Sequence, residues 1–180
     1  MSKRVFFMNF NKIKSLISKS KHRGIFTLEC IRDGNLIWSE TFSNLTVDEG
    51  LNDILDVYFA AGSQSATWYI GLIGSNSTPL AGWDAAGIGV DFTEFEDYSE
   101  ATREAWTVGA VSGKSISNTA SPAEFNIDDS GTVYGAFIIN ENTKGGTTGV
   151  LWCASLLASS RPVVSGDIVR ATYTVTSADA

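Results

Sequence analysis

Histidine and cysteine are scarce in this chain. Its 180 residues include one histidine, His22, and two cysteines, Cys30 and Cys153. A serine or cysteine nucleophile needs an activating base, usually histidine, and a structural zinc site needs four Cys or His ligands. We therefore expect no catalytic residues, no metal and no cofactor, and we predict that the protein is not an enzyme. The two distant cysteines predict free thiols in a reducing cytoplasm and not a disulfide framework.

Long apolar runs and phosphate-binding motifs are also missing. No apolar stretch approaches the roughly 20 residues that a membrane-spanning helix requires, and no signal-peptide cleavage site follows the apolar patch at residues 5–8. The Gly-rich stretch 75–90 has neither the G-x-G-x-x-G nor the Walker pattern. So long a loop is uncommon in a compact domain unless it binds something or is ordered by a neighbour. We expect no small-molecule substrate and no membrane partner.

Acidic residues are absent from the first 23 residues, and this divides the chain into two parts. All 20 acidic residues lie in 24–180 with only six of the 13 basic ones, which gives about +7 for residues 1–23 and about −14 for the rest. A basic arm on an acidic body is typical of a chain whose arm has its own partner: nucleic acid, an anionic membrane or an acidic protein surface. We therefore predict an arm, 1–23, and a single β-rich domain, 24–180.

The arm combines its basic residues with regularly spaced apolar ones. Phe6, Phe10, Ile13 and Ile17 would share one side of a helix, so the arm is either extended or a basic amphipathic helix. Such a helix could lie on a membrane or dock into a groove on another protein subunit. His22 is expected to be a solvated arm residue. The residues predicted to bind a partner are Lys3, Arg4, Phe6, Phe10, Lys12, Lys14, Lys19, Lys21 and Arg23.

The body reads as mainly β. Two strand-like runs flank the turn Asp33-Gly34, a strong hairpin signal, and Thr46 with Glu49 forms a capping box for one helix at about 47–60. Short strand-like segments separated by Gly, Ser and Asn follow, which predicts an antiparallel β-sandwich or barrel-like domain. These strands are expected at 66–73, 102–108, 115–118, 124–127, 132–140, 149–157 and 167–176.

The segment 97–106, D-Y-S-E-A-T-R-E-A-W, resembles a catalytic centre because it concentrates carboxylates. If it is extended, Glu100 and Glu104 do not converge, and Arg103 forms exposed ion pairs that contribute about 0 to 1 kcal/mol each. Tyr98, Ala101 and Trp106 are then expected to pack. One alternative is a host-glycan-binding module that uses an exposed tryptophan beside these acids; its proposed residues are Trp83, Trp106, Glu100 and Glu104.

An ordered series of segments between about residues 45 and 176 carries a family resemblance. It comprises L51-N-D-I-L-D-V-Y-F, T67-W-Y-I-G-L, F92-T-E-F-E-D-Y-S-E-A-T-R, S121-P-A-E-F-N-I, G135-A-F-I, N142-T-K-G-G-T-T-G-V-L-W and S165-G-D-I-V-R-A-T-Y-T-V. This series resembles a group of small tailed-bacteriophage virion proteins, some of which are similar to head decoration (cement) proteins. The resemblance implies a structural role in the virion, with no catalytic residues to carry over.

The expected function is therefore a non-enzymatic capsid decoration protein that binds the outer capsid lattice and stabilises the head. Its expected partner is the major capsid protein or another virion protein, and we expect a homo-oligomer on a symmetric lattice. The expected location is the capsid surface of the virion, after synthesis in the host bacterial cytoplasm. A neck, tail or fibre-associated virion protein is the main alternative. Binding of nucleic acid by the arm rests on charge alone, and we do not expect it.

Overall fold

The computed structural model describes residues 20–179, which form two antiparallel sheets and one α-helix. The predicted fold class, mainly β with a single helix, is confirmed. In chain order the elements are β1 (Ser20–Arg32), β2 (Asn35–Ser43), β3 (Leu45–Thr46), α1 (Asp48–Phe59), β4 (Tyr69–Ile73), a 3₁₀ turn (Ala85–Gly87), β5 (Glu94–Phe95), β6 (Glu104–Ala105), β7 (Ser115–Ser117), β8 (Ala123–Asn126), β9 (Gly131–Ile139), β10 (Leu151–Val163) and β11 (Ile168–Asp179).

The first sheet is built on the pairing of β1 with β11. Its strand order is β2-β1-β11-β7, and β8 also pairs with β11. The β1–β2 hairpin turns at Asp33 and Gly34, whose φ angles of 51° and 76° are those of the tight turn that the Asp-Gly pair favours. The second sheet has the order β3-β10-β9-β4-β5, with β6 pairing with β4.

The core lies between the two sheets. Phe26, Leu28 and Cys30 alternate with more exposed residues along β1 and meet the buried side chains of β4, β9 and β11. This period of two is what a strand with one covered face requires. At one side the sheets are also joined: Glu40 of β2 accepts a hydrogen bond from Arg161 of β10 at 2.9 Å. This contact joins the two sheets through side chains, and within residues 20–179 the two sheets share no paired strand.

The Gly-rich loop between β4 and β5 covers the outer face of the second sheet. Its Trp83 stacks on Phe92 at 4.7 Å between ring centroids, and Phe92 meets Phe137 of β9 edge to face at 5.3 Å. Together with Ile88 these side chains form a second buried cluster against β9 and β10. The loop is thus ordered because its aromatic residues pack on the neighbouring sheet. This packing accounts for a loop of this length in a compact domain.

Helix α1 contacts the sandwich through its first turn and through Ile54, which packs against the main core cluster. Gly50 is buried against Trp152, so closely that an added Cβ would lie 2.6 Å from the Trp152 carbonyl oxygen. The predicted capping box is wrong: the N-cap is Val47, without a side-chain cap. Glu49 instead accepts hydrogen bonds from the backbone N–H groups of Ala85 and Leu151, because these donors need a partner at the junction of loop and sheet.

Three further predictions need correction. The expected strand 102–108 is reduced to two residues of β6, whereas β10 extends six residues beyond its expected end at 157. The first strand begins at Ser20, so residues 20–23, which were assigned to the arm, pair with β11.

Both cysteines are free and fully buried. Within residues 20–179 no helix has the length and hydropathy to cross a bilayer.

The aromatic cover gives a first test of the fold. Replacing Phe92 with Ala should lower the free energy of unfolding by about 3–5 kcal/mol, because it removes a buried ring between Trp83 and Phe137. Urea unfolding followed by circular dichroism measures this loss. Val90→Ala is the control, since Val90 lies in the same loop with 85% of its surface exposed and should change stability by less than about 0.5 kcal/mol. Equal effects of the two changes would contradict a loop that acts as a cover.

Candidate functional site

Most of the predicted partner-binding residues lie outside the described part of the chain. Two of the nine, Lys21 and Arg23, fall in β1, opposite Ala178 and Thr176 of β11, with exposed side chains. The others lie before residue 20: Lys3, Arg4, Phe6, Phe10, Lys12, Lys14 and Lys19. The arm prediction therefore stays a prediction, except that its last residues belong to the first sheet.

The segment 97–106 contains a buried ion pair and not the exposed one that its sequence suggests. Arg103 is 1% exposed and donates through Nε and Nη2 to the two carboxylate oxygens of Glu94, at 2.9 and 2.7 Å. The guanidinium also donates to the carbonyl oxygens of Glu141 and Gly146, each at 2.9 Å. These four hydrogen bonds use the planar set of donors on the guanidinium group, and they connect β5 to the β9–β10 loop.

Glu94 is the residue that makes this burial possible, and the sequence gives no signal for it. Its carboxylate also accepts the backbone N–H of Gly145 at 2.8 Å. Burial raises the pKa of Glu94, while the hydrogen bonds from Arg103 and Gly145 oppose that rise. The pair is thus a structural cross-link. Removing either partner alone would destabilise the fold, because it would leave the other charge buried and unpaired.

The remaining acids of the segment do not converge on one point. Glu100 accepts hydrogen bonds from the backbone and side-chain nitrogens of Asn126, whereas Glu104 pairs with β4 opposite Ile70. Burial raises the pKa of Glu104, and the charges of Glu100 and Glu124 add to the effect. These carboxylates have different partners, as predicted, but the extended conformation expected for the segment is found only in part, because residues 99–102 form a bend and only Glu104 lies in a strand.

The aromatic residues of the segment behave in different ways. Tyr98 is buried against Phe125, and Trp106 packs on Tyr173 while its Nε1 donates to the Tyr173 carbonyl oxygen at 3.0 Å. The packing predicted for these two residues is confirmed. Ala101 is exposed, so the packing predicted for it is wrong.

The geometry also removes one of the two tryptophans proposed for glycan binding. Trp83 is 4% exposed within the loop cover, so it cannot present a face to a sugar. Trp106 lines two cavities, but neither lining includes Glu100 or Glu104. Trp83 therefore cannot serve such a site, whereas the alternative that uses Trp106 stays a prediction.

A different surface feature, an apolar groove between α1 and the sandwich, is present instead. Its volume is about 330 Å³. The opening lies between the sandwich and the side of α1 that carries Ile54 and Val57. The helix contributes Asp53, Ile54, Val57 and Tyr58, the β-sandwich Ile116, Ile138, Trp152 and Val175, and the remaining lining residues are His22, Gln64, Ser65, Trp68 and Trp106.

Helix α1 has an exposed apolar surface and a strongly acidic character. Tyr58 and Phe59 are 81% and 80% exposed, and Leu51 and Leu55 are exposed as well. The predicted apolar face of the helix is therefore mostly uncovered. The helix carries four carboxylates and no basic residue. Partial burial and the neighbouring charge of Asp56 raise the pKa of Asp53, which lines the groove.

His22 is the groove residue that the sequence describes least well. It was expected to be a solvated arm residue, but it lies in the groove lining, with its ring edge-on to Trp152 at 6.5 Å. Its Nδ1 is 3.4 Å from Ser177 Oγ. Residues 20–23, S-K-H-R, have no apolar alternation, so the sequence gives no signal that β1 begins at Ser20. The described chain thus starts beside the groove.

Comparison with known proteins supplies no further assignment. No protein family matches the chain, and no curated protein matches it either. The resemblance to tailed-phage virion proteins therefore stays a prediction.

Removing one partner of the buried ion pair gives a pH-dependent test. Arg103→Met should lower the free energy of unfolding at pH 7 by about 3–5 kcal/mol, because it leaves Glu94 buried without its cation. The pKa of Glu94 then rises further above its unfolded value, so protonation favours the folded state. The variant should regain stability as the pH is lowered from 7.

Two controls accompany this measurement by urea titration at several pH values. Arg170→Met removes a half-exposed pair with Glu124 and should cost about 0–1 kcal/mol, without recovery in acid. The double variant Arg103→Met/Glu94→Leu should be more stable than Arg103→Met alone. Additive losses in the double variant would show that the two side chains do not depend on each other.

Proposed function

We propose that this protein is a non-enzymatic structural protein of a tailed-bacteriophage virion, a decoration protein that binds the outer capsid lattice and stabilises the head. The observation that carries the proposal is the division of charge between a basic arm, 1–23, and an acidic β-sandwich. In this proposal the arm is the anchor, its partner is an acidic surface of the major capsid protein, and the sandwich is the outward-facing body.

The ion pairs of the body support this division. Four arginines that follow the arm are already paired with carboxylates of the body: Arg32 with Asp167, Arg103 with Glu94, Arg161 with Glu40, and Arg170 with Glu124. Lys144 lies over the ring of Tyr98 at 3.8 Å and donates to the carbonyl oxygen of Glu96. Because these five cations already have partners within the body, an acidic partner would find most of its complementary charge on the arm.

A symmetric lattice explains how a short arm can be sufficient. Each exposed ion pair contributes only about 0.2–1 kcal/mol, so a single arm of this kind binds weakly. Copies joined in a small homo-oligomer would engage several lattice sites at once, and avidity then multiplies the weak contacts. A rigid sandwich suits this arrangement because it holds neighbouring arms at fixed separations.

Charge reversal in the arm tests the proposal. The triple change Arg4→Glu, Lys12→Glu and Lys19→Glu should weaken binding to undecorated heads of the encoding phage by about tenfold or more, since tenfold corresponds to about 1.4 kcal/mol. Co-sedimentation of purified protein with heads measures the bound fraction. Raising the ionic strength should also weaken the binding of the unmodified protein to heads, because salt screens exposed charge pairs.

A matched pair of single changes distinguishes an effect of the arm on binding from an effect of the protein's net charge. Lys12→Glu in the arm and Lys114→Glu in the exposed loop before β7 alter the net charge equally. The first should weaken binding to heads and the second should not. Undiminished binding of the triple variant, or no binding of the unmodified protein, would overturn the proposal.

A further inference from the structure

The groove between α1 and the sandwich has the apolar, aromatic lining of a site for an amphipathic helix. Its aromatic floor includes Trp68, Trp106 and Trp152, and its wall is formed by Ile54 and Val57 of α1. Amphipathic helices are commonly recognised in this way, by an apolar groove that takes side chains spaced three and four residues apart. The groove is open to solvent in the described part of the chain, so an occupant can enter from the side.

The start of the described chain places one such segment directly beside the groove. His22 belongs to the groove lining, and only Ser20 and Lys21 separate it from Lys19. A helix over residues 5–17 would be about 20 Å long at 1.5 Å per residue, close to the roughly 18 Å of α1. Because its end is tethered at the groove, this segment has a high effective concentration there.

The arm carries regularly spaced apolar side chains that could cover the exposed apolar lining of the groove. Phe6, Phe10, Ile13 and Ile17 follow one another at intervals of four, three and four residues. In a helix they cover one side and supply two aromatic and two branched side chains. The uncovered Tyr58 of α1, which also lines the groove, is available to pack on the same side of such a helix.

Charge selects this occupant over a second copy of α1. In a helix at about 100° per residue, Lys14 would lie about 70° from the centre of the apolar side, on the flank of the contact, where α1 offers the carboxylates of Asp53 and Asp56. Two α1 helices packed together would instead bring eight carboxylates into one interface, without a basic residue from either helix. Like charges placed together in this way oppose association.

We propose that residues 5–17 form an amphipathic helix that docks its Phe6, Phe10, Ile13 and Ile17 side into the groove of the same chain. This inference does not depend on the capsid role. It also refines the anchor: in this proposal Phe6 and Phe10 face the body, Lys12 lies on the opposite side of the helix, and Arg4 and Lys19 flank its two ends. The acidic body would thereby present a basic surface beside α1.

Hydrogen exchange of the isolated full-length protein tests the docking without any capsid. Backbone amides in residues 5–17 should exchange at least about tenfold more slowly than in an unstructured peptide of the same sequence. Two changes should each abolish this protection: Phe10→Ser on the arm and Val57→Glu on the groove wall. The two substitutions lie on opposite sides of the proposed contact. Phe10→Ser changes no residue of the described fold, because residue 10 lies before Ser20.

Matched changes outside the contact serve as controls. Leu55→Glu places the same charge on α1 at an exposed residue outside the groove lining, and Lys12→Ser changes the far side of the arm helix. Both should preserve the protection. Unprotected amides in the unmodified protein, or protection that survives Val57→Glu, would overturn the proposal. Protection that disappears on dilution would assign the groove to the arm of a second copy and overturn docking within one chain.

Discussion

The buried pair of Arg103 and Glu94 is the constraint on which the arrangement of the second sheet depends. A guanidinium removed from water is tolerated only when its donors are satisfied, and here Glu94, Glu141 and Gly146 supply the acceptors. These contacts join β5, the segment before β6 and the β9–β10 loop at one corner. Because β6 follows Arg103 directly, the same corner determines where Trp106 lies against Tyr173 and therefore shapes the floor of the groove.

The features that local chemistry determines were predicted correctly from the sequence. The Asp33-Gly34 turn needs residues that accept a positive φ, and α1 needs only the apolar spacing between Val47 and Phe59. The clean alternation of β11 predicted a strand in the same way. Each of these signals is contained within a few neighbouring residues, so the fold class followed from them.

The features that depend on distant partners were not predicted. Arg103 sits among exposed charges in the sequence, and only its packing against Glu94 and the β9–β10 loop explains its burial. Glu49 resembles a helix cap but binds the N–H groups of Ala85 and Leu151, the second of them 102 residues away. Neither the groove nor the role of His22 in its lining could be predicted, because both arise where β1, β10 and α1 meet.

These observations support one account of the molecule as a rigid acidic sandwich that carries a basic anchor. The four arginines of the body form ion pairs within it, and the uncovered side of α1 lies near the start of β1. A decoration protein needs these properties: a stable body, an anchor of opposite charge and repeated contact with a symmetric surface.

The most direct measurement of this account is a low-resolution electron cryomicroscopy map of the intact phage particle with the protein localised in it. A decoration protein should cover the outer capsid lattice in hundreds of copies, in register with the capsid symmetry. Density confined to the neck, the tail or a fibre, at about a dozen copies or fewer, would contradict the proposed location. Absence of the protein from the particle would contradict a virion role altogether.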